Sequence, residues 1–389
     1  MIRVATALLL AFSFPGLVRP AAAAAASAVV TVRNPINLAR PSETIVLQAA
    51  ELRRLLTVDD IRRVHVRDPH SGRELLVQAV DTNDDGTFEE LVFQADLAPQ
   101  ETRVFQLSVG ERAVPRREDF KAYGRFVQER RDDFAWENDR VAHRMYGAAL
   151  EAWPQEPLTS SAVDVWAKST RRLVINDWYM VDDYHRDHGE GADFYSAGKS
   201  RGCGGSGLWM GGRLYPSANF RSSRTLANGP IRVVFELTYA PWDAGGVRVS
   251  EVKRITLDAG QNLSRFESTY TVEGAPRDLT YAAGIKKNAG STVSTSRESG
   301  IVRTWEPLKD AGELGCGIVL APGEIVDFGQ DSGNYLVMAK IPARSTAVYY
   351  AGFGWSKSGD FRTVEDWVRY LRDYAARLRS PVEVKLAAQ

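Results

Sequence analysis

Residues 231–239 read IRVVFELTY and residues 264–272 read SRFESTYTV. In the first run Ile231, Val233, Phe235, Leu237 and Tyr239 alternate with Arg232, Glu236 and Thr238, and in the second Phe266, Tyr270 and Val272 share one phase. Side chains on an extended chain point to opposite faces with period two, so each run predicts a strand with one face toward a core. Alternation of this kind belongs to antiparallel sheets rather than to the continuous apolar runs of parallel ones.

The same period recurs upstream. In EELVFQADL the residues Leu91, Phe93, Ala95 and Leu97 share a phase, and in TRVFQLSVG so do Phe105, Leu107 and Val109. One helix stands out near the end. Thr363 precedes VEDWVRYLRDYAARL, where Val364, Trp367, Leu371, Tyr374 and Leu378 recur at helical spacing, with acids in the first turn and arginines in the last. Pro381 ends it, and VEVKLA returns as a final strand. Many strands and few helices predict a mainly β fold, a large antiparallel β-sandwich of two packed sheets with a C-terminal helix.

The N-terminus, MIRVATALLLAFSFPGLVRPAAAAAASA, sets Arg3 ahead of an apolar run and a small-residue stretch. It reads as a signal peptide over residues 1–28, so the mature protein is expected to be secreted or periplasmic. The 49 basic and 49 acidic side chains balance, and removing Arg3 and Arg19 leaves the mature chain two charges negative. Neither a nucleic-acid footprint nor a polybasic membrane patch is indicated, and no apolar run is long enough for membrane insertion. Residues 29–110 form an N-terminal β region and 111–389 the main sandwich, read as one continuous fold. The charged, aperiodic stretch ERAVPRREDFKAY at 111–123 is a linker or long crossing loop.

Cys203 and Cys316 are the two cysteines, and an exported compartment permits a bridge between them. DTNDDG, residues 81–86, offers calcium-type oxygens at Asp81, Asn83 and Asp85, but position twelve of such a loop is Val92 rather than glutamate. An ion-free hairpin turn explains the same residues.

Four stretches concentrate chemistry: WENDRVAHRMYG (136–147), DDYHRDHGEGADFYSAGKSRGCGG (182–205), AAGIKKNAG (282–290) and YYAGFGWSKSGDF (349–361). Aromatic residues on glycine-rich loops beside charged groups suit a sugar, which offers an apolar face and a hydroxyl rim. Trp166, Trp178 and Trp209 are assigned to core packing, whereas Trp355 is read as a sugar platform. Arg144 and Lys286 are candidates to clamp a carboxylate; the competing reading pairs Arg144 with Glu137 or Asp139. His185, between Tyr184 and Asp187, is the candidate proton-transfer group. His185, Asp187, His188, Glu190 and Asp193 include metal-ligand types, but their spacing fits no defined motif, so no metal is assigned there. GCGGSG at 202–207 has dinucleotide-loop spacing without the strand-to-helix context that motif requires.

These stretches, together with Asn219–Phe220, NGPIRVVFELTY and the DTNDDGTFEELVFQ hairpin, resemble the bacterial domain-of-unknown-function family 4861 over nearly the whole mature chain. The resemblance implies a galactose-mutarotase-like supersandwich, export, and association with breakdown of uronate-rich polysaccharides. It places the family pattern on Trp136, Glu137, Asn138, Asp139, Arg144, Tyr146, His185, Asp187, Gly189, Glu190, Gly191, Asp193, Tyr195, Cys203, Asn219 and Trp355; Cys316 lies outside it.

The resulting expectation is a lyase-like elimination, or dehydration, on a uronic-acid-bearing oligosaccharide. Arg144 and Lys286 neutralise the uronate, His185 or Tyr195 abstracts the α-proton, and Tyr184, Tyr195 or Glu190 protonates the departing oxygen. Asp187 orients His185, and Trp136, Asn219 and Trp355 hold the sugar. The alternatives are a glycoside hydrolase using two carboxylates among Glu137, Asp139, Glu190 and Asp193, an aldose-epimerase-like enzyme, and a non-catalytic sugar-binding protein.

Overall fold

The strand Arg232–Asp243 lies one place from the edge of an eight-stranded antiparallel sheet, paired with Ser222–Asn228 on one side and Arg248–Asp258 on the other. Its alternating residues start a row across four strands: Phe235 opposes Ile255, Ile255 opposes Phe266, and Phe266 opposes Tyr349. All four are fully buried, and the Phe266 and Tyr349 rings stack with centroids 5.0 Å apart. Apolar cross-strand rows of this kind hold a sheet in register, because a one-residue slip would turn every member to the opposite face.

The computed structural model describes residues 27–155, 158–181 and 183–389. The signal-peptide reading falls almost wholly outside the described residues; Ala28, its last position, is the buried first residue of the strand Ala28–Arg33. The protein is mainly β and antiparallel, with a C-terminal helix. No helix of the described residues is long and apolar enough to cross a membrane.

After Leu263–Val272 the eight-stranded sheet continues through Thr346–Trp355, Gly312–Val319, Ile301–Leu308 and Thr292–Ser296. Two five-stranded sheets face it across a common core that includes Trp136, Tyr239, Tyr281, Phe353 and Trp355. One comprises Gly191–Ala192, Val163–Lys168, Ala142–Met145, Asp133–Asn138 and Ala122–Val127; the other comprises Arg213–Tyr215, Cys203–Met210, Leu279–Lys286, Asn334–Ile341 and Ile325–Gln330. A parallel bridge between Val163 and Gly202 joins them. Gly202 has φ +60, and a Cβ there would sit 2.0 Å from the Val163 carbonyl oxygen, so the junction requires glycine.

A smaller sandwich packs a five-stranded sheet on the three strands Arg40–Gln48, Glu90–Leu97 and Val77–Val80, around its own core. Both ends of the described chain meet in that five-stranded sheet: Ala28–Arg33 pairs with Glu383–Ala388. Gln78 ties the two sandwiches together, accepting the Ile231 and Arg232 N–H groups at 2.8 Å and donating to the Arg232 carbonyl at 2.9 Å.

Among the described residues there are three α-helices: α1 (Ala49–Leu55), α2 (Ile175–Val181) and α3 (Val364–Arg379). The expected C-terminal helix is α3, begun by a reciprocal capping box between Thr363 and Asp366. It lies on the outer face of the eight-stranded sheet, where Trp367 and Leu371 press against glycines. A Cβ on Gly317 would meet Leu371 at 2.8 Å, and one on Gly315 would meet Trp367 at 2.7 Å. Helix α2 covers the outer face of Asp133–Asn138 and Val163–Lys168, burying Trp166 and Trp178 as the sequence predicts.

Candidate functional site

Three of the four chemistry-rich stretches converge at one end of the main sandwich. Cross-strand register sets Trp355 opposite Leu314 and Leu314 opposite Glu306, so these side chains share the sheet's inner face. Lys286 ends the facing strand Leu279–Lys286, and the loop after it brings the Asn288 amide to Glu306, Nδ2 to Oε1 at 2.8 Å. The segment 193–196 runs alongside: the Lys286 ammonium donates to the Ser196 carbonyl, and the Phe194 ring lies 5.6 Å from Trp355.

Glu306 is 3 % exposed. Burial raises its carboxyl to about 7, opposed by the Asn288 hydrogen bond and the Lys286 charge. Tyr195 is buried, its hydroxyl set against the thiols of Cys316, to which it hydrogen-bonds, and Cys203, within reach of the Glu306 charge. Burial pushes this phenol well above its ordinary value, so it is a neutral O–H donor at physiological pH. Both cysteines are free thiols, and Cys203 donates to the Gly352 carbonyl at 3.1 Å.

Glu306 escapes the sequence reading because IVRTWEPL is apolar in both phases: Ile301 and Trp305 face α3 while Val302 faces the main core. The available signal was a carboxylate in phase with Val302, an inward position.

Other expected site residues have different surroundings. Arg144 is 2 % exposed and holds buried acids: Nε to Asp164 at 2.9 Å, Nη2 to Asp193 at 3.0 Å and Nη1 near Asp133 at 3.6 Å. Its partners are therefore neither a substrate nor Glu137 or Asp139. Burial lifts Asp133 to about 7 and holds Asp193 well above the carboxylate range. Asp193 also accepts the Tyr195 backbone N–H, so Arg144 anchors the segment that carries Tyr195. Tyr184 is buried, its hydroxyl accepting from Arg130 at 2.5 Å and Arg144 at 3.1 Å.

The His185 side chain is 62 % exposed and lies 3.5 Å from Asp193; no hydrogen bond or ring contact joins it to Tyr195. Asp187, expected to orient His185, instead accepts the Gly189 and Gly191 N–H groups at 2.7 and 3.0 Å, closing the turn. Glu190 is held by Arg172. Glu137 is fully buried between Lys168, at 2.9 Å, and the N–H groups of Val174 and Ile175 at the start of α2. Asp139 accepts the Gly260 N–H at 2.6 Å.

Trp355, the expected sugar platform, is only 2 % exposed, and its indole N–H donates to the Ala311 carbonyl at 2.8 Å. The strand register turns the ring inward, on the same face as Glu306, with Leu314 between them. Trp136 is fully buried, stacked on His143 and donating to Ser264 at 3.1 Å. Asn219 is spent on the backbone of Ser160, Gly147 and Leu158.

At the DTNDDG hairpin, oxygens of Asp81, Asp85 and Glu89 lie within 4.8 Å of one another, and the Asn83 amide donates to Asp85 at 3.1 Å. Asp81 is engaged by the Asp84 and Gly86 N–H groups at 2.6 and 2.8 Å, which is how an Asx-rich turn closes.

The family model described as "Domain of unknown function (DUF4861)" matches residues 32–384. "Uncharacterized protein P7" of Formosa agariphila is 34% identical over 373 residues, covering 92% of this chain and 93% of that protein. Among solved structures, an alpha-mannosidase from Enterococcus faecalis superposes with TM-score 0.51 at 9% identity, over 93% of this chain and 46% of that one. A glycosyl hydrolase family 38 protein from the same organism gives TM-score 0.51 at 10% identity, over 93% and 47%. The chain thus spans about half the length of these two proteins. At such identity the likeness is one of fold.

Proposed function

The chain belongs to the DUF4861 family, and we propose that it is an exported carbohydrate-active enzyme that eliminates across a uronic-acid unit of an oligosaccharide, with Glu306 as base. The observation that carries this reading is the Glu306 carboxyl: nearly buried, raised to about 7, bonded to Asn288 and facing the Lys286 charge. A base is most effective when its pKa lies near the working pH. Hydrolysis of a glycosidic bond by the usual route needs two carboxyl groups on either side of the bond. Elimination needs one base, one acid and a cation. The fold likeness to glycoside-cleaving proteins is consistent with a sugar substrate.

In the proposed step the Glu306 carboxylate takes the proton on the carbon next to the uronate carboxylate. The C–H electron pair becomes an enolate, stabilised by the Lys286 ammonium. Collapse of the enolate forms the ring C=C bond and breaks the β C–O bond. The departing oxygen takes the Tyr195 proton, and transfer from Glu306 through solvent restores the phenol. Trp355 shares the sheet face with Glu306, with Phe194 beside it, and the Arg144–Asp193 pair holds the Tyr195 backbone in place.

The test incubates the protein with uronate oligosaccharides and follows ultraviolet absorbance alongside product mass. A conjugated chromophore formed by wild type, and lost by a factor of about 10²–10⁴ in kcat in Glu306→Gln, supports the reading. Chain cleavage with addition of water and no chromophore overturns it in favour of hydrolysis.

A further inference from the structure

A cleft of about 1070 Å³ lies away from Glu306, between the 117–123 segment and the start of α2. It is built from parts that the proposed reaction does not use. Phe120 and Tyr123, both half-buried, and Leu173 supply apolar wall, while Arg117, Lys121, Arg171 and Arg172 supply four cations, set against the carboxylates of Glu118, Glu137, Asp139 and Asp177. The stretch 111–123 is more than a linker here. The Lys121 N–H donates to the Pro230 carbonyl at 2.8 Å, and a Cβ on Gly229 would meet the Phe120 ring at 2.5 Å, so this wall is pressed against the main sandwich.

The charges in the cleft are unevenly committed. Arg171 is bound to Asp360 at 2.8 Å, and Arg172 is bound to Glu190 and Asp177. Glu137, at the base of the cleft, is closed off by Lys168 and the α2 N–H groups. Arg117 and Lys121 are exposed and form no ion pair among the described residues. Glu118 is paired with Arg116 at 3.1 Å and Asp139 accepts the Gly260 N–H at 2.6 Å, so the two cations without an ion pair among the described residues, beside two aromatic rings, make a binding surface rather than a second reaction centre. Aromatic faces accept the apolar side of a pyranose, and Arg and Lys select a carboxylate or sulfate.

We infer that this cleft is a second saccharide site, one that grips an anionic sugar unit of a chain distant from the unit being transformed. The inference rests on the proposed oligosaccharide substrate for its ligand class, and its effect is to favour longer acidic chains over short ones.

Calorimetric titration with tetragalacturonate, its methyl ester and a sulfated tetrasaccharide tests it, using wild type, Lys121→Glu, Arg117→Glu and Glu306→Gln. Binding of an acidic tetramer weakened about tenfold or more by methyl esterification and by either surface charge reversal, and retained in Glu306→Gln, is the expected result. Which acidic tetramer binds tells carboxylate from sulfate. Failure of all three to bind, or binding indifferent to both charge reversals, overturns the inference. Absence of any chromophore while this binding persists sinks the elimination and leaves the cleft standing.

Discussion

The Nδ2 of Asn288 donates to Oε1 of Glu306 at 2.8 Å, joining the loop after one sheet to a strand of the facing sheet. It is the larger of the two interactions drawing down a carboxyl that burial has raised to about 7. Removing it in Asn288→Ala therefore raises the Glu306 pKa further. Since a base acts as its carboxylate, the acidic limb of the kcat/KM profile moves to higher pH by about one unit, with activity retained above it. An unmoved limb in an active variant removes Glu306 from the role of base.

Glu306 also makes stability depend on pH. Its folded pKa lies above its unfolded value of 4.5, so the native state holds its proton more tightly and stability falls as pH rises from about 4.5 to 7. Glu306→Gln abolishes that loss: compared with wild type it changes little at pH 4 and gains about 1–3 kcal/mol at pH 8 in urea unfolding. A variant destabilised equally at both pH values contradicts the buried-acid description.

Arg144→Met leaves Asp133, Asp164 and Asp193 buried around an uncharged side chain. The expected cost is about 3–5 kcal/mol at pH 8, because uncompensated charge in an interior is unfavourable. It shrinks at pH 5, where Asp133, lifted to about 7, is protonated. Denaturant midpoints at the two pH values measure the difference; loss of substrate binding with no loss of stability would restore Arg144 as a substrate clamp.

Trp355→Ala opens a hole on the sheet face that Glu306 shares and leaves the Ala311 carbonyl without its donor, costing about 3–5 kcal/mol. Trp355→Phe keeps most of the volume, and its cost is about 1–2 kcal/mol by the same scale. An exposed sugar platform predicts the reverse, with stability untouched and affinity lost, so thermal unfolding separates the two.

Thiol titration checks the Cys203–Cys316 pair. Both are buried free thiols, so a thiol reagent reacts slowly with the folded protein and counts two groups per chain in denaturant. A count of zero after denaturation reveals a bridge.

Strand patterning was legible wherever one face was buried and the other wet. IRVVFELTY and EELVFQADL alternate because one of their phases is apolar throughout and faces a large core, while the other is mostly polar, Val234 and Val92 being its buried exceptions. α3 was legible because its sixteen residues carry caps and a full apolar stripe. The seven-residue helices α1 and α2 were not, because two turns are too short for a helical period to stand out. Asp133–Asn138 is buried along its whole length, and such a strand shows no alternation. Within the candidate site, Tyr195, Lys286 and Trp355 were legible as residue types, and the structure brings them together. Glu306 and Asn288 were not, since one sits in a doubly apolar strand and the other in an ordinary loop.

By itself the sequence determined the class of fold, the C-terminal helix and the family, because period-two alternation, capping residues and long ordered motifs are local properties of the chain. Only tertiary structure decided which polar residues stand in a site. Arg144 and Glu137 were drawn into the interior as counter-charges, Asp187 and Asn219 were spent on backbone N–H and carbonyl groups, and Glu306 was left at the edge of the core beside the Asn288 amide and the Lys286 ammonium. Burial and the identity of the nearest charge set a carboxyl's pKa, and both depend on which strands, far apart in sequence, come to lie side by side.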